Sequence, residues 1–246
     1  MGYLPTQCAK LLCAGKDCRE KHWGDGMRSV LVTGGTVRLG KAIAERLRAE
    51  GWRVITSSHR ADAGADIVAD LAQPMGAARL YAAVLQMLGG QPPDALVNNA
   101  ALFTGDAAAI GAVNFEAPRK LTTLMAGRES GVGAVVNVLD SVVLGSLGSK
   151  ATLSDPKRPY LAAKRSLLDF TRSAAATFAA TLRVNAVAPG PVLAPTDVHV
   201  KAGETLLDRC PTPDDVAAAV SYLLDAESTT GVVIPVDAGQ HLISEK

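Results

Sequence analysis

The chain alternates short apolar runs with longer stretches in which apolar residues recur at helical spacing. A short, uniformly apolar run predicts a strand buried on both faces, and an intervening amphipathic stretch predicts the helix that covers it. The alternation therefore predicts repeated βαβ units. Strands are predicted at about 29–33, 53–58, 66–69, 94–98, 132–139, 182–188 and 231–235, and helices at about 39–50, 74–88, 107–127, 159–180 and 213–225.

These elements predict an α/β fold with a doubly wound parallel sheet of about seven strands and helices on both faces. A chain of 246 residues that is 48% hydrophobic can bury one large core. Residues 27–246 are predicted to form a single domain, and residues 1–26 a flexible extension or the product of an upstream start. The irregular stretches 141–158 and 190–211 follow strand ends, where open α/β sheets bind ligands.

Charge and composition exclude several classes of function. Lys and Arg number 25 against 24 Asp and Glu, without a basic block, so nothing indicates a nucleic-acid surface. No apolar run approaches the roughly 20 residues that span a bilayer, and residues 1–26 lack the apolar core of a signal peptide. We therefore predict a cytoplasmic protein that acts on a small molecule, without a membrane or nucleic-acid partner.

The cysteine pattern does not indicate a metal site. Three of the four cysteines, Cys8, Cys13 and Cys18, lie in the extension, and Cys210 stands far from them. No C-x-x-C pair occurs and only His22 lies near, so the spacing fits no established zinc pattern.

A glycine-bounded turn, Gly34-Gly35-Thr36-Val37-Arg38-Leu39-Gly40, follows the first predicted strand. Glycines let the backbone approach a phosphate, and the N-terminus of the helix behind them attracts negative charge. The turn indicates a nucleotide phosphate site, although taken alone it also fits a structural turn without ligand.

Tyr160 and Lys164 lie one helical turn apart, so both side chains point from one face of the helix predicted at 159–180. An ammonium near a phenol favours the phenolate and would lower the pKa of Tyr160 toward working pH. The pair predicts a proton donor for hydride-transfer chemistry.

Further motifs extend this picture across residues 28–242. In chain order they are Asp70-Leu71, Asn98-Asn99-Ala100, Asn114, Tyr160 with Lys164, and Pro189-Gly190. This series resembles the short-chain dehydrogenase/reductase family. The resemblance implies a single-domain Rossmann fold, a nicotinamide dinucleotide cofactor without metal, and a homotetramer.

The resemblance also implies roles for individual residues. Asp70 would meet adenine, Asn99 would lie along the cofactor, and Lys164 would hold the nicotinamide ribose. Asn114 would anchor a water that relays protons to the lysine; taken singly, it is only a helix-surface amide. The implied cofactor-binding set is Gly34, Thr36, Arg38, Leu39, Gly40, His59, Arg60, Asp70, Leu71, Asn99, Ala100, Tyr160, Lys164, Pro189 and Gly190.

The end of the second predicted strand, Ser58-His59-Arg60, bears on the choice of dinucleotide. An acid at this place selects NAD, whereas an arginine accommodates the 2′-phosphate of NADP. Arg60 therefore predicts NADP, with Arg38 as a second cation against the phosphates. The alternative is that Arg60 is a solvated loop charge.

Three departures from the common family pattern resemble its pteridine reductase branch, which includes dihydromonapterin reductases. Arg38 stands at the usual middle glycine, and Asp140 stands where most members carry a catalytic serine. Phe103 matches an aromatic that stacks pterin against nicotinamide in that branch. Two alternatives stay open: Asp140 caps a loop while Ser141 does the work of the serine, and Phe103 is a core or lid residue.

The chemistry gives the aspartate a role. Reduction of a ring C=N needs a proton on nitrogen, which Asp140 and Tyr160 could relay, whereas a carboxylate would repel the alkoxide formed from a ketone. We predict an NADPH-dependent reductase of pterins or similar flat N-heterocycles. The alternatives are a ketone or quinone reductase that uses Ser141 and a non-catalytic dinucleotide-binding regulator. A long loop before Tyr160, and Ala238 in place of a usual glycine, depart from a standard pterin site.

Overall fold

The computed structural model describes residues 26–129, 131–145, 157–192 and 205–243. Within these ranges the predicted strands form one seven-stranded parallel sheet in the order β3-β2-β1-β4-β5-β6-β7. The strands are β1 (Ser29–Thr33), β2 (Arg53–Ser58), β3 (Ile67–Val68), β4 (Ala95–Asn98), β5 (Gly133–Val138), β6 (Leu182–Pro189) and β7 (Val233–Val236).

Helices follow the strands where the apolar periodicity predicts them. The helix predicted at 107–127 is an unbroken run in which a π-helical turn, Ala112–Glu116, joins two α-helices. Short 3₁₀ turns lie at Ala61–Ala63, Ser141–Val143 and Gln240–Leu242. The α-helices of the described ranges are α1 (Arg38–Ala49), α2 (Gly76–Met87), α3 (Ala107–Gly111), α4 (Ala117–Ala126), α5 (Arg158–Thr177) and α6 (Pro213–Asp225).

Both faces of the sheet are buried, which explains the uniformly apolar strands. In β1, Val30 and Val32 pack under α1 and α6, whereas Leu31 between them packs with α2 and α4 on the opposite face. Each such side chain is fully buried, and burial of a leucine contributes about 1.5–3 kcal/mol. The predicted doubly wound α/β fold is confirmed.

The strand predicted at 66–69 is shorter than expected. Only Ile67–Val68 pairs with β2, because the Asp66 side chain instead accepts hydrogen bonds from the Thr56 backbone and hydroxyl, both at 2.7 Å. A side chain that bonds the neighbouring strand replaces the ladder there. The loop between β2 and β3 is therefore fastened at its far end to the middle of β2.

The helix predicted from residue 74 begins at Gly76. Met75 adopts a left-handed conformation with φ of 65°, which an L-residue does not propagate into a helix. A Cβ at position 76 would overlap the Asp70 carbonyl, so glycine is needed where α2 meets the end of β3.

Several predictions lie outside the described residues. They concern residues 1–25 with Cys8, Cys13 and Cys18, and most of the loops before Tyr160 and after Val192. Among the residues that are described, no group of three His, Cys, Asp or Glu side chains could hold a metal ion. In the same ranges, no helix has both the length and the apolar character needed to cross a membrane.

Candidate active site

The parallel strands bring the sequence-predicted residues to one edge of the sheet. Because all seven strands run in one direction, their carboxyl ends meet at that edge. Pro189 ends β6, and Gly190 donates a backbone hydrogen bond to the Val236 carbonyl at 3.0 Å. A Cβ on Gly190 would lie 2.8 Å from Asp237 Cβ, so the predicted Pro189-Gly190 pair closes this edge by close packing.

The glycine turn between β1 and α1 is shaped by close backbone approach. Gly34 has a φ of +63°, and a Cβ there would lie 3.1 Å from Ala100 Cα. A Cβ on Gly40 would overlap both the Gly34 carbonyl and the Asn99 amide. The two glycines are therefore required for the turn to lie against the end of β4.

Asn99 and Ala100 hold the turn from the neighbouring strand. The Asn99 side-chain amide donates to the carbonyls of Thr33 and Gly34 at 3.0 and 3.1 Å. The backbone N–H groups of Asn99 and Ala100 both donate to Thr33 Oγ1, at 3.0 and 3.1 Å. Asn99 thus fixes the cradle in which the resemblance places a cofactor.

Arg38 is the first residue of α1, and its backbone conformation explains why most of the family has glycine at this position. Its φ is +49°, in the left-handed region that costs a non-glycine residue about 1–3 kcal/mol. The side chain is exposed at the helix N-terminus, and Leu39 after it packs against the core. The chain thus places a cation where the backbone geometry favours glycine.

Arg60 is paired with an acid that lies two residues further on. Its Nε and Nη2 donate to Asp62 Oδ1 and Oδ2 at 3.0 and 2.6 Å, and both side chains are exposed. His59 beside it is also exposed. The structure thus brings a carboxylate directly to the arginine that the sequence predicts as the 2′-phosphate ligand.

The Asp70-Leu71 pair lies beyond β3 in the arrangement that the resemblance implies. Asp70 is exposed, and its carboxylate accepts hydrogen bonds from the Ala72 backbone at 2.9 Å and the Gln73 amide at 3.3 Å. Leu71 is buried against the core. The acid is therefore positioned by a local turn, and whether it meets adenine stays a prediction.

At the other end of the site, Tyr160 and Lys164 lie on one face of α5, as the spacing predicts. The Tyr160 hydroxyl donates to Asp140 Oδ2 at 3.0 Å, and Lys164 Nζ donates to the Val138 carbonyl at 2.7 Å. The lysine ammonium lies 5.7 Å from the centre of the Tyr160 ring. The last residue of β5, Val138, thus supplies the partner of Lys164, and Asp140, which follows β5, supplies the partner of Tyr160.

Asp140 and Ser141 point in different directions. Asp140 Oδ1 caps the following 3₁₀ turn by accepting from the Val142 backbone at 3.0 Å, while Oδ2 accepts from Tyr160. Ser141 is fully buried, and its hydroxyl donates to Gln240 Oε1 at 3.0 Å. The structure therefore brings Asp140 to the tyrosine, and the same aspartate also caps the loop.

The protonation of Tyr160 differs from the expectation. Its pKa is raised, first because the phenol is buried and then because the Asp140 carboxylate repels and accepts from it. The predicted lowering is wrong, since the carboxylate, and not the lysine, contacts the hydroxyl. Burial lowers the pKa of Lys164 from 10.5 to about 8. Tyr160 accordingly keeps its proton at neutral pH, as a donor requires.

Phe103 and Asn114 form a connected unit beside the tyrosine. The Phe103 ring is 59% exposed, and its centre lies 4.7 Å from that of Tyr160 at a tilt of 34°. Asn114, buried in the π-helical turn, donates to the carbonyls of Leu102 and Ile110 at 2.7 and 2.9 Å. It also accepts from the Leu102 backbone at 3.4 Å, so it fixes the residue that precedes Phe103. The water role implied for Asn114 stays a prediction.

Three residues of the site were missed by the sequence reasoning. Thr33 fastens the two residues that follow β4, Gln240 holds Ser141, and Asp62 pairs with Arg60. Only Asp62 had a local signal, since an acid two residues from an arginine is readable in the sequence. Thr33 and Gln240 reach their partners from about 66 and 99 positions away.

Comparison with known proteins identifies the class of enzyme. A family model described as enoyl-(acyl carrier protein) reductase matches residues 37–241. The chain belongs to the short-chain dehydrogenase/reductase family. It is an oxidoreductase that uses a nicotinamide dinucleotide and acts on small molecules, so the alternative of a non-catalytic regulator is set aside.

Individual relatives are similar over nearly their full length. The FolM alternative dihydrofolate reductase 1 of Brucella canis, solved with NADP, is 32% identical with a TM-score of 0.76; the match covers 89% of this chain and 96% of that one. Its Brucella suis counterpart, also with NADP, is 31% identical, with a TM-score of 0.75 and coverages of 89% and 97%. A Streptomyces violaceoruber protein assigned as ketoacyl reductase 2 of the granaticin polyketide synthase is 33% identical, with coverages of 87% and 96%.

The residues of the glycine turn fit a dinucleotide. Gly34 and Gly40 pack too closely against their neighbours to allow a Cβ, and this holds the backbone of the turn tight at the N-terminus of α1, where a phosphate would be attracted. Thr36 Oγ1 is buried in this turn and has no hydrogen-bond partner among the described residues, and a buried hydroxyl needs one. A phosphate oxygen would supply that partner.

Proposed function

We propose that this chain is an NADPH-dependent reductase of pterins or similar flat N-heterocycles. The observation that carries the proposal is the 3.0 Å hydrogen bond from the Tyr160 hydroxyl to the Asp140 carboxylate, in the place where most of the family uses serine. An acid paired with a phenol suits proton delivery to a ring nitrogen. The similarity to the NADP-bound FolM enzymes supports the same substrate class.

The proposed chemical step reduces a ring C=N bond. A nicotinamide dinucleotide, when bound against the glycine turn, would supply the hydride for the ring carbon. Tyr160 gives its hydroxyl proton to the ring nitrogen, whose electron pair accepts it as the C=N π bond is lost. The proton that Tyr160 gives up is replaced from solvent: the Asp140 carboxylate takes up a solvent proton and passes it to the Tyr160 oxygen across their hydrogen bond. Tyr160 is suited to this because its raised pKa keeps the proton in place until the nitrogen becomes basic.

The surroundings of Tyr160 disfavour simple ketone reduction. A developing alkoxide beside the Asp140 carboxylate would be repelled, which opposes the charge stabilisation that carbonyl reduction needs. Ser141, the other candidate, is fully buried and donates to Gln240. Carbonyl reductase activity is nevertheless the second candidate, because the Streptomyces relative is assigned as a ketoacyl reductase.

Phe103 supports a flat substrate. Its ring is exposed and lies next to the Tyr160 ring, and an exposed aromatic face at a site binds planar ligands by stacking. Because the ring lies 4.7 Å from Tyr160, a substrate stacked on it would be presented directly to the proton donor. Asn114 holds the backbone of Leu102, so the position of the ring is set by the π-helical turn.

The preference for NADPH over NADH is part of the proposal. Arg60 and Arg38 are the cations nearest in sequence to the predicted phosphate positions, and charge-assisted contacts to a 2′-phosphate are strong. We expect NADPH to bind at least roughly tenfold tighter than NADH, the equivalent of about 1.4 kcal/mol. Equal affinities in a titration, or an unchanged preference in Arg60→Ala, would reject this part.

The substrate class is tested by two variants at neighbouring positions. We expect Asp140→Asn to abolish most dihydropterin reduction with NADPH binding intact, since asparagine keeps the size but has no transferable proton. Ser141→Ala should leave that reduction nearly unchanged. NADPH oxidation is measured against dihydropterins, quinones and ketones. The reverse pattern, with ketones as the preferred substrates, would replace the proposal by the carbonyl reductase.

We further propose that the enzyme is a homotetramer, as the resemblance implies. Light scattering coupled to size-exclusion chromatography tests this, and a monomer at micromolar concentration would contradict it.

A further inference from the structure

The pair formed by Arg60 and Asp62 bears on cofactor choice. Arg60 uses Nε and Nη2, which form one edge of its guanidinium, to bind both carboxylate oxygens of Asp62 at 3.0 and 2.6 Å. Two parallel N–H···O bonds are the geometry in which arginine also binds a phosphate. The acid therefore occupies the donors that a 2′-phosphate would use.

The loop that carries this pair is held at both ends. It leaves β2 at Ser58, whose hydroxyl accepts from the Arg60 backbone at 3.1 Å, and Asp66 returns it to Thr56 with two hydrogen bonds at 2.7 Å. Asp62 lies in the 3₁₀ turn Ala61–Ala63 between these anchors. The pairing is thus a product of a short, fastened loop that keeps the carboxylate next to the guanidinium.

The charge of Asp62 persists across the working pH range. The hydrogen bond and then the charge of Arg60 hold the pKa of the Asp62 carboxyl below its usual value. A 2′-phosphate approaching Arg60 must therefore displace a carboxylate or lie beside it, and like charges at contact repel. The 2′-hydroxyl of NADH carries no charge and does not compete for the guanidinium.

We infer that Asp62 is a specificity-determining residue, which competes with the 2′-phosphate for Arg60 and so weakens the preference for NADPH over NADH. The inference rests on the proposed role of Arg60 as the 2′-phosphate ligand. Because an exposed ion pair is a weak interaction, we expect the change in affinity to be about three- to fivefold. The effect should shrink as salt screens both the pair and the repulsion.

The test measures dinucleotide binding to the full chain by calorimetry. We expect Asp62→Asn to bind NADPH and adenosine 2′,5′-bisphosphate about three- to fivefold more tightly than the parent, with NADH affinity unchanged within about twofold. The matched control is Glu116→Gln, which removes the carboxylate of another exposed ion pair on a different element, where Arg119 donates from Nε and Nη2 to Glu116 Oε2. It should leave all three affinities as they are, and both variants should keep the parent melting temperature.

Three outcomes would overturn the inference: an unchanged NADPH affinity in Asp62→Asn, an equal gain for NADH, or a weaker affinity for NADH. The Arg60→Ala variant separates this inference from the proposed function. If Arg60→Ala weakens NADPH binding and Asp62→Asn does nothing, only the role of Asp62 fails. If Arg60→Ala leaves NADPH binding intact, the role of Arg60 fails as well. In the double variant Arg60→Ala/Asp62→Asn, the gain in NADPH affinity from Asp62→Asn should vanish, because the guanidinium for which Asp62 and the 2′-phosphate compete is absent.

Discussion

The two ends of the candidate site are built differently. The cofactor end is a turn of backbone pressed against backbone, in which Gly34, Gly40 and Asn99 leave no space for a side chain. The substrate end consists of a few side chains, Tyr160, Asp140 and Phe103, drawn together from separate elements. A turn made of packed backbone can bind the same cofactor in every member of the family, whereas a few side chains can be replaced when the substrate differs. The cofactor end therefore indicates the family of the chain, whereas the substrate depends on the side chains of the other end.

The largest expected effect is at the substrate end. Tyr160→Phe removes the proposed proton donor but keeps the ring, so turnover should fall by on the order of 10²-fold or more while NADPH affinity stays unchanged. Steady-state kinetics and a binding titration check the two parts. Tyr222→Phe, which changes an exposed phenol on α6, is the control. Turnover that survives in Tyr160→Phe would show that another group gives the proton.

The next effect breaks the cofactor end alone. Gly40→Ala should weaken dinucleotide binding by about ten- to a hundredfold, because the new Cβ overlaps the Gly34 carbonyl and forces the turn open. Calorimetric titration and the melting temperature measure it. Gly111→Ala on α3 is the control, since a Cβ there meets no heavy atom within 4 Å. If both variants bind alike, the close packing of the turn is not what holds the cofactor.

Phe103→Ala sharpens the comparison because it should act on the substrate and spare the cofactor. A stacked planar substrate should lose about 1 to 3 kcal/mol of binding, by analogy with bases stacked on aromatic side chains. The KM for a dihydropterin should rise while NADPH affinity is unchanged. Phe103→Tyr keeps an aromatic face and should retain most of the affinity. A silent Phe103→Ala would count against the flat substrate.

Lys164 couples the site to stability through its lowered pKa. Between the folded value of about 8 and the ordinary 10.5, the unfolded chain holds a proton that the folded chain has released, so stability rises with pH. From pH 7.5 to 9.5 the gain should be about 1 to 2 kcal/mol, and it should be absent in Lys164→Met. Urea unfolding at stepped pH measures it, with the exposed Lys120→Met as control. Parallel curves for parent and Lys164→Met would contradict the prediction.

The smallest expected effect concerns the extension. A chain that begins at Met27 should equal the full chain in melting temperature and NADPH affinity, because β1 starts after this residue and both ends of the site lie within residues 27–246. Differential scanning calorimetry and a titration compare the two chains. A clear loss in either quantity would show that residues 1–26 pack on the domain or contribute to binding.

The elements and the cofactor turn could be predicted because their signals are local. A strand covered on both faces reads as an apolar run, and Gly34 and Gly40 mark a turn within seven residues of sequence. The boundaries that were wrong have tertiary causes. β3 begins at Ile67 because the Asp66 side chain accepts a hydrogen bond from Thr56. α2 begins at Gly76 because Met75 adopts a left-handed backbone conformation.

The direction of the Tyr160 pKa could not be predicted from spacing. The i, i+4 pattern correctly placed Lys164 on the same helix face, but it carries no information on burial or on the opposing strand. Only the packed structure brings the Asp140 carboxylate to the hydroxyl and sends the lysine to the Val138 carbonyl. The pKa of Tyr160 is raised first by burial of the phenol and then by the Asp140 carboxylate, and both come from the packing around the helix.

By itself, the sequence determined the α/β class, the parallel direction of the strands, and the presence of a glycine-bounded turn and of a tyrosine–lysine pair on one helix face. These follow from periodicity and from spacings of a few residues, which act within one element. Tertiary structure decided that Asp140, and not Ser141, contacts Tyr160, because the capped 3₁₀ turn after β5 directs successive side chains apart and Gln240, about 99 positions away, takes the serine. Which of two adjacent side chains faces a site is set by the packing around a strand end, and that packing is made by residues remote in sequence.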